Sequence, residues 1–350
     1  MSKLGQIAAE VGVSANTVLR VLRSENKEVW PSAAKRADEI RKAAQKIGYL
    51  PNGSARAMRK GKFNAIALVL STDMGRSYLP NDLFNGIHDA INKLSMRMIV
   101  SKLGDKELTN ERLMPAVLRE WSCDGLLINY TDRVPQQMVR LIEKFHIPSI
   151  WINRKQANEA VYFDDFAAAR EATGRLLKLG HKRITYLDFL AKETWSATHY
   201  SRTDRYAGYA ETMREAGFVP TPREQFAGVP VADRLAATCQ LLRGEGSPTA
   251  IIGYDAGPRI MHAATVVGLK VPQQLSVLTF GPATSSSQDQ GEGFIGWRMG
   301  QMGLPGELAG HHAVEMLMQK IGSRDKAIPS VVLPLKFDSG DTCGPAPAEA

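Results

Sequence analysis

Apolar residues in the first fifty positions recur at helical spacing. Leu4, Ile7, Ala8 and Val11 share one face of a short helix, and Gly12 suits the left-handed position just past its end. Ser14 stands where an N-cap belongs, with Thr17 three residues on, and Val18, Val21 and Leu22 then mark the buried face of a second helix. A third helix begins near Pro31, a good first-turn residue, and runs to Gly48 with Ala37, Ile40, Ala44 and Ile47 turned toward the first two. Two short helices joined by a tight glycine-containing turn form a helix-turn-helix pattern.

From Phe63 the pattern alternates apolar runs with helical segments. "NAIALVL", "RMIVS", "DGLLIN" and "PSIWIN" interleave with "LFNGIHDAINKL", "LMPAVLREW" and "QQMVRLIEKF". A second series runs from "FAAAREATGRLLKLG" and "RITYLDF" through "TAIIGY" and "LSVLTF" to "ELAGHHAVEMLMQKI" and "SVVLPLKF". Strand–helix–strand repetition of this kind predicts parallel sheets covered by helices on both faces. Two such series predict two similar lobes, with a ligand at the C-terminal strand edges in the cleft between them. The tail "DSGDTCGPAPAEA" has no periodicity and is expected to be disordered.

Charge sharpens the reading of the N-terminal segment. The 350-residue chain has a net charge of +8. Residues 1–62 hold thirteen Lys or Arg against five Asp or Glu, so the whole excess sits in the first sixth of the chain. A polyanion is the expected partner; a basic solvated face is the plainer alternative on charge alone. On the outer side of the second helix stand Ala15, Asn16, Leu19, Arg20 and Arg23 in place of the Glu/Lys pairs of an ordinary exposed helix. Asn16 can make a bidentate contact to adenine, Arg20 to guanine, and Ala15 or Leu19 can touch a thymine methyl; Ser14 and Thr17 suit phosphates.

Other classes recede. No run of eighteen apolar residues exists, and the N-terminus lacks the uninterrupted apolar stretch of a signal peptide, so a cytoplasmic protein without a membrane partner is expected. Cys123, Cys239 and Cys343 are too few and scattered for a disulfide framework or a zinc site. "GEGFIG", Gly291 to Gly296, matches GxGxxG but lacks the strand before and the helix after that a dinucleotide site needs. His311 and His312 are adjacent and cannot both face one ion with Glu315. No catalytic set, metal site or cofactor is expected.

The blocks "LGQIAAEVGVSANTVLRVL", "IGYLPNGSARAMRKGK", "DGLLIN", "LLKLGHKRITYL", "RYAGYAETMREAG", "PTAIIGYDA" and "GLKVPQQLSVLTFG" resemble, in order and spacing, the lactose-repressor (LacI/GalR) family of bacterial transcription regulators. The resemblance implies an all-α helix-turn-helix headpiece (1–50), a hinge helix or linker (51–62) and an α/β periplasmic-binding-protein-like domain of two doubly wound parallel-sheet lobes (63–337). The tail is 338–350. It further implies a homodimeric repressor of a near-palindromic double-stranded DNA operator in the bacterial nucleoid, with a small-molecule effector, a sugar or sugar derivative, in the interlobe cleft.

By the same resemblance, Ala15, Asn16 and Arg20 match base-contacting positions. Ala55 and Met58 match the hinge residues that enter the minor groove, with Asn52, Arg56 and Arg59 beside them. Methionine can wedge an opened base step. Asn153, Arg154, Asp164, His199, Ser201, Arg205, Tyr254 and Asp255 match cleft positions. Departures are Leu19, where the family usually has serine, a long segment around Lys27 and Trp30, Tyr254 in place of asparagine, and Gly281 and Pro282 in place of two aspartates. The rival reading is a cytosolic solute-sensing protein without operator specificity.

Overall fold

A computed structural model describes residues 2–23, 31–49, 62–190, 199–254, 256–282 and 298–348. The chain divides into two compact units, Met1–Phe63 and Asn64–Ala350.

The first unit contains three helices, α1 (Lys3–Val11), α2 (Ala15–Arg23) and α3 (Pro31–Ile47). The Ser2 hydroxyl accepts from the Gly5 amide at 3.2 Å, and Gly12 ends α1 at φ 68°. Only a residue tolerant of positive φ closes this turn cheaply. The Ser14 hydroxyl accepts from the Thr17 amide at 3.1 Å, which caps α2 as the sequence predicts. Ile7, Val18, Val21, Ala37, Ile40, Ala43 and Ala44 are buried together, with Leu4, Val11, Leu22 and Ile47 among the residues packed around them.

The second unit holds two sheets. The first has the order β10 (Val331–Leu333), β5 (Ala160–Phe163), β4 (Ser149–Ile152), β3 (Gly125–Asn129), β1 (Ala65–Ser71), β2 (Arg97–Leu103), all parallel. The second has the order β11 (Lys336–Asp338), β9 (Gly300–Leu304), β8 (Ser276–Pro282), β7 (Ala250–Gly253), β6 (Ile184–Leu187), parallel except for β11. Every residue of β1 and β3 is buried, as helices on both sheet faces require. One apolar cluster takes in Leu68 and Ile150 of the first sheet and Ile252 and Leu278 of the second.

Two sequence expectations are corrected. The helix and strand that close the second series belong to the first lobe: α12 (Gly306–Gly322) packs on β3, β4, β5 and on α4 (Asn81–Lys93), and β10 joins β5. The reason is a backbone-to-backbone approach. A Cβ on Gly86 would lie 2.2 Å from the Glu307 carbonyl oxygen, and one on Gly310 would lie 2.5 Å from the Ile87 amide. Asp82 on α4 accepts a hydrogen bond from the Gly306 amide, joining the two helix starts.

The expected disordered tail is packed through Ala346. β11 pairs with β9, and beyond the start of β9 Thr342 continues the ladder, its carbonyl accepting from the Val277 amide at 2.8 Å. Its hydroxyl accepts from the Gly300 amide at 2.7 Å and donates to the Val277 carbonyl at 2.6 Å. The buried His181 ring reaches the Gly344 carbonyl at 3.0 Å, and the Ala346 amide donates to the Leu179 carbonyl at 2.8 Å. Backbone groups and small side chains hold the segment, so no hydrophobic period announces it. Thr342→Val keeps the side-chain volume but strands the buried Gly300 amide and leaves the Val277 carbonyl with only the weak Cys343 thiol donor at 3.4 Å. It is expected to lower the unfolding free energy by about 1–3 kcal/mol, read by urea titration.

Candidate functional site: recognition helix and lobe junction

On the first unit, α2 divides its residues between two environments. Val18 and Val21 enter the core, whereas Asn16 and Arg20, one turn apart, are exposed. Ala15, Thr17 and Leu19 are half-buried. The Ser14 and Thr17 hydroxyls lie 2.9 Å apart, so the capping serine is held by the helix it starts. Nearby positive charge is only partly neutralised: Lys46 pairs with Glu10 and Lys42 with Asp38, both at the surface. The hinge candidates Asn52, Ala55, Arg56, Met58 and Arg59, with Lys27 and Trp30, lie outside the described residues.

In the second unit the cleft candidates gather where strand ends of the first lobe meet α9 (Tyr200–Glu215) of the second. Asn153, just past β4, sits at φ 57° and receives two donors from that helix. Its side-chain oxygen accepts from the Tyr200 hydroxyl at 2.8 Å, and its carbonyl accepts from His199 Nε2 at 3.2 Å. A carbonyl can only accept, so Nε2 carries the ring proton and Nδ1 is the acceptor. The Ser201 hydroxyl, 2.7 Å from Nδ1, donates to it and in turn receives the Tyr254 hydroxyl at 3.2 Å. A hydrogen-bond chain Tyr254–Ser201–His199–Asn153 thus links the end of β7 to the end of β4. Burial pushes the His199 pKa down to about 4, which keeps the ring neutral and the chain intact at pH 7. Lys155 and Asp204 add a 2.5 Å ion pair across the same junction.

Arg205 is less available than the resemblance implies. Its Nε donates to Asp165 Oδ1 at 2.5 Å, and its guanidinium lies over the Phe280 ring at 4.3 Å and the Tyr254 ring at 5.2 Å. Burial raises the Asp165 pKa against the pull of Arg205, and the second carboxylate oxygen of Asp165 is buried without a partner among the described residues. Asp164, the expected cleft carboxylate, instead caps α8 (Asp165–Lys178) by accepting from the Ala167 amide at 3.0 Å. Arg154 lies 4.3 Å over the Trp151 ring, and burial lowers its pKa. Asp255 lies outside the described residues, as does the "GEGFIG" segment.

The polar loop after β1 adds residues that the sequence pattern did not single out. Arg76 in that loop donates to the carbonyls of Asp132 and Arg133 at 3.3 and 2.6 Å and pairs with Asp105 at 3.1 Å. Ser77 donates to the Asn129 carbonyl at 2.5 Å, and the Asn129 amide donates to the Tyr78 carbonyl at 2.9 Å. Polar residues directly after the apolar runs, Thr72–Asp73 and Tyr130–Asp132, were the available signal. Among the described residues no group of three His, Cys, Asp or Glu could hold a metal, and no helix is long and apolar enough to cross a membrane.

A periplasmic binding protein-like family model matches residues 173–343. The chain is similar to the probable HTH-type transcriptional regulator EndR of Paenibacillus polymyxa, 21% identical over 332 residues that make up 93% of this chain and 92% of the relative. Among solved structures, the Lac repressor dimer bound to operator and the anti-inducer ONPF shares the fold at TM-score 0.72 and 21% identity, covering 96% of this chain and 97% of that one. A CelR–cellobiose complex aligns at TM-score 0.61 and 20% identity over 98% and 100% of the two chains. Over nearly its whole length the chain is similar to HTH-type transcriptional regulators and shares the fold of the Lac repressor. These similarities support a ligand-responsive DNA-binding regulator. Its headpiece is the three-helix unit and its periplasmic-binding-protein-like domain the two-sheet unit.

Two consequences of this geometry can be measured. Unfolded His199 takes up a proton near pH 6.5 and the folded ring only near pH 4, so its contribution to stability is full above 6.5 and is lost as pH falls toward 4. Between pH 6.5 and about 5 the wild type is expected to lose roughly 2 kcal/mol more unfolding free energy than His199→Gln. Arg205→Ala leaves Asp165 as a buried unpaired charge and is expected to cost about 3–5 kcal/mol. Pairing Arg205→Met with Asp165→Leu removes both charges and should recover most of that loss in thermal unfolding.

Proposed function

We propose that this protein is a homodimeric repressor that binds a near-palindromic operator through two copies of α2 and releases or grips it in response to a small molecule in the interlobe cleft. The observation that carries the reading is the pair of exposed side chains Asn16 and Arg20 on a capped helix, in a segment that holds the entire net positive charge of the chain. Two-fold symmetry presents two such helices to two half-sites, while the basic surface supplies the sequence-independent attraction to phosphate. The hinge residues Asn52, Ala55, Arg56, Met58 and Arg59 follow the minor groove between the half-sites. The protein works without catalysis or cofactor in the bacterial cytoplasm, bound to the nucleoid.

The effector is an uncharged polyhydroxyl compound, a sugar or sugar derivative. Support comes from the charge pairing at the junction, where Arg205 is matched by Asp165, Arg202 by Asp188 and Lys155 by Asp204. These three cations, already matched within the protein, leave little net field to attract a carboxylate or phosphate, while Arg154, whose Nη1 is buried without a partner among the described residues, leaves a donor for a hydroxyl oxygen. The Tyr254–Ser201–His199–Asn153 chain gives such a ligand a means of action, because hydroxyls that compete for these partners alter a link between lobes.

Selection of bound duplexes from random DNA by the full-length protein, at near-physiological salt, tests the reading. A two-fold symmetric enriched site is expected; no enrichment favours the solute-sensing alternative. On that site, Arg20→Ala should cost about 1–3 kcal/mol and relax preference at one base pair per half-site, with the other positions unchanged.

A further inference from the structure

The outer surface of α2 carries two strips side by side. Asn16 and Arg20, four residues apart, form a hydrogen-bonding strip; Ala15 and Leu19, also four apart, form an apolar one beside it. The apolar strip is unusual because it lies outside the headpiece core. That core consists of Ile7, Val18, Val21, Ala37, Ile40, Ala43 and Ala44, with Leu4, Ala8, Val11, Val13, Leu22, Ile47 and Tyr49 packed on it, and among the described residues neither Ala15 nor Leu19 joins it. Leu19 remains half-buried, one turn from the exposed Asn16.

A leucine in this place has no hydrogen-bonding atom to offer a phosphate or a base edge. The one apolar group that B-DNA presents in the major groove is the 5-methyl of thymine. Leu19 lies three residues, about 4.5 Å of helix rise, beyond Asn16, which puts it within reach of the base pair next to the one Asn16 reads. We propose, resting on the reading of α2 as the operator-recognition helix, that Leu19 is a specificity-determining residue that selects thymine by packing on its 5-methyl group. The half-site therefore contains a T·A pair whose thymine is distinguished by its methyl group and not by its hydrogen-bonding edge.

Deoxyuridine isolates this contact, because it pairs as thymine does and lacks only the methyl. Duplexes of the selected operator are made with each thymine of the half-sites replaced in turn, symmetrically, and binding to the full-length protein is measured at fixed salt. At one position per half-site, loss of the methyl is expected to weaken wild-type binding about fourfold for each half-site, the worth of one buried methyl group. In Leu19→Ala, checked by circular dichroism to retain its folding transition, that penalty should vanish while penalties at other positions persist. The proposal is overturned if no thymine responds to loss of its methyl, or if the penalty is undiminished in Leu19→Ala. Failure to select any operator overturns both this assignment and the operator reading; a selected operator indifferent to deoxyuridine overturns this assignment alone.

Discussion

The buried pair of Arg205 and Asp165 organises the regulatory part of the molecule. A guanidinium enclosed by Tyr254 and Phe280 can stay charged only with a carboxylate against it, and Asp165 supplies that carboxylate from the first turn of α8. The requirement draws α8 and α9 together. Gly208, one turn along from Arg205, permits it, since a Cβ there would lie 2.4 Å from the Phe166 carbonyl oxygen. Once α9 is seated, His199, Tyr200 and Ser201 at its start are aimed at Asn153 of the other lobe. A buried charge pair within one lobe thereby sets the position of the hydrogen bonds between the two.

That arrangement also leaves a junction between the lobes that can be altered. The chain passes between the sheets after β5, after β9 and after β10, so neither lobe can move without loading its crossings. The hydrogen bonds from His199 and Tyr200 to Asn153 bridge the junction and involve neutral groups, with the ion pair of Lys155 and Asp204 beside them. Neutral hydrogen bonds contribute modestly and exchange readily for those of a hydroxyl-rich ligand. The headpiece is built differently: a small apolar core holds three helices, in a segment that carries the basic excess of the chain.

Sequence and structure agree best where the signal is local. Gly12 ends α1 and Ser14 starts α2 as their spacing predicts, and the buried faces of α2 and α3 follow the apolar period. Departures arise wherever the partner is distant in the chain. Arg205 was legible as a cleft arginine, yet its pairing with Asp165 and not Asp164 depends on which of two neighbouring carboxylates the helix start turns inward. The loop at Arg76 was legible as polar; its bonds to the segment around Asp132 were not.

The amino-acid sequence by itself determined the helices, strands and caps, the basic N-terminal segment and the resemblance to the LacI/GalR family, because these rest on periods of two to four residues and on residue types at short spacing. Tertiary structure alone decided that α12 and β10 return to the first lobe, that Thr342 and Gly344 bind the C-terminal segment to the second sheet, and that Asn153 meets His199. Each of these unites backbone groups or small polar side chains from distant parts of the chain. Such groups carry no hydrophobic period, so only the folded chain reveals which of them meet.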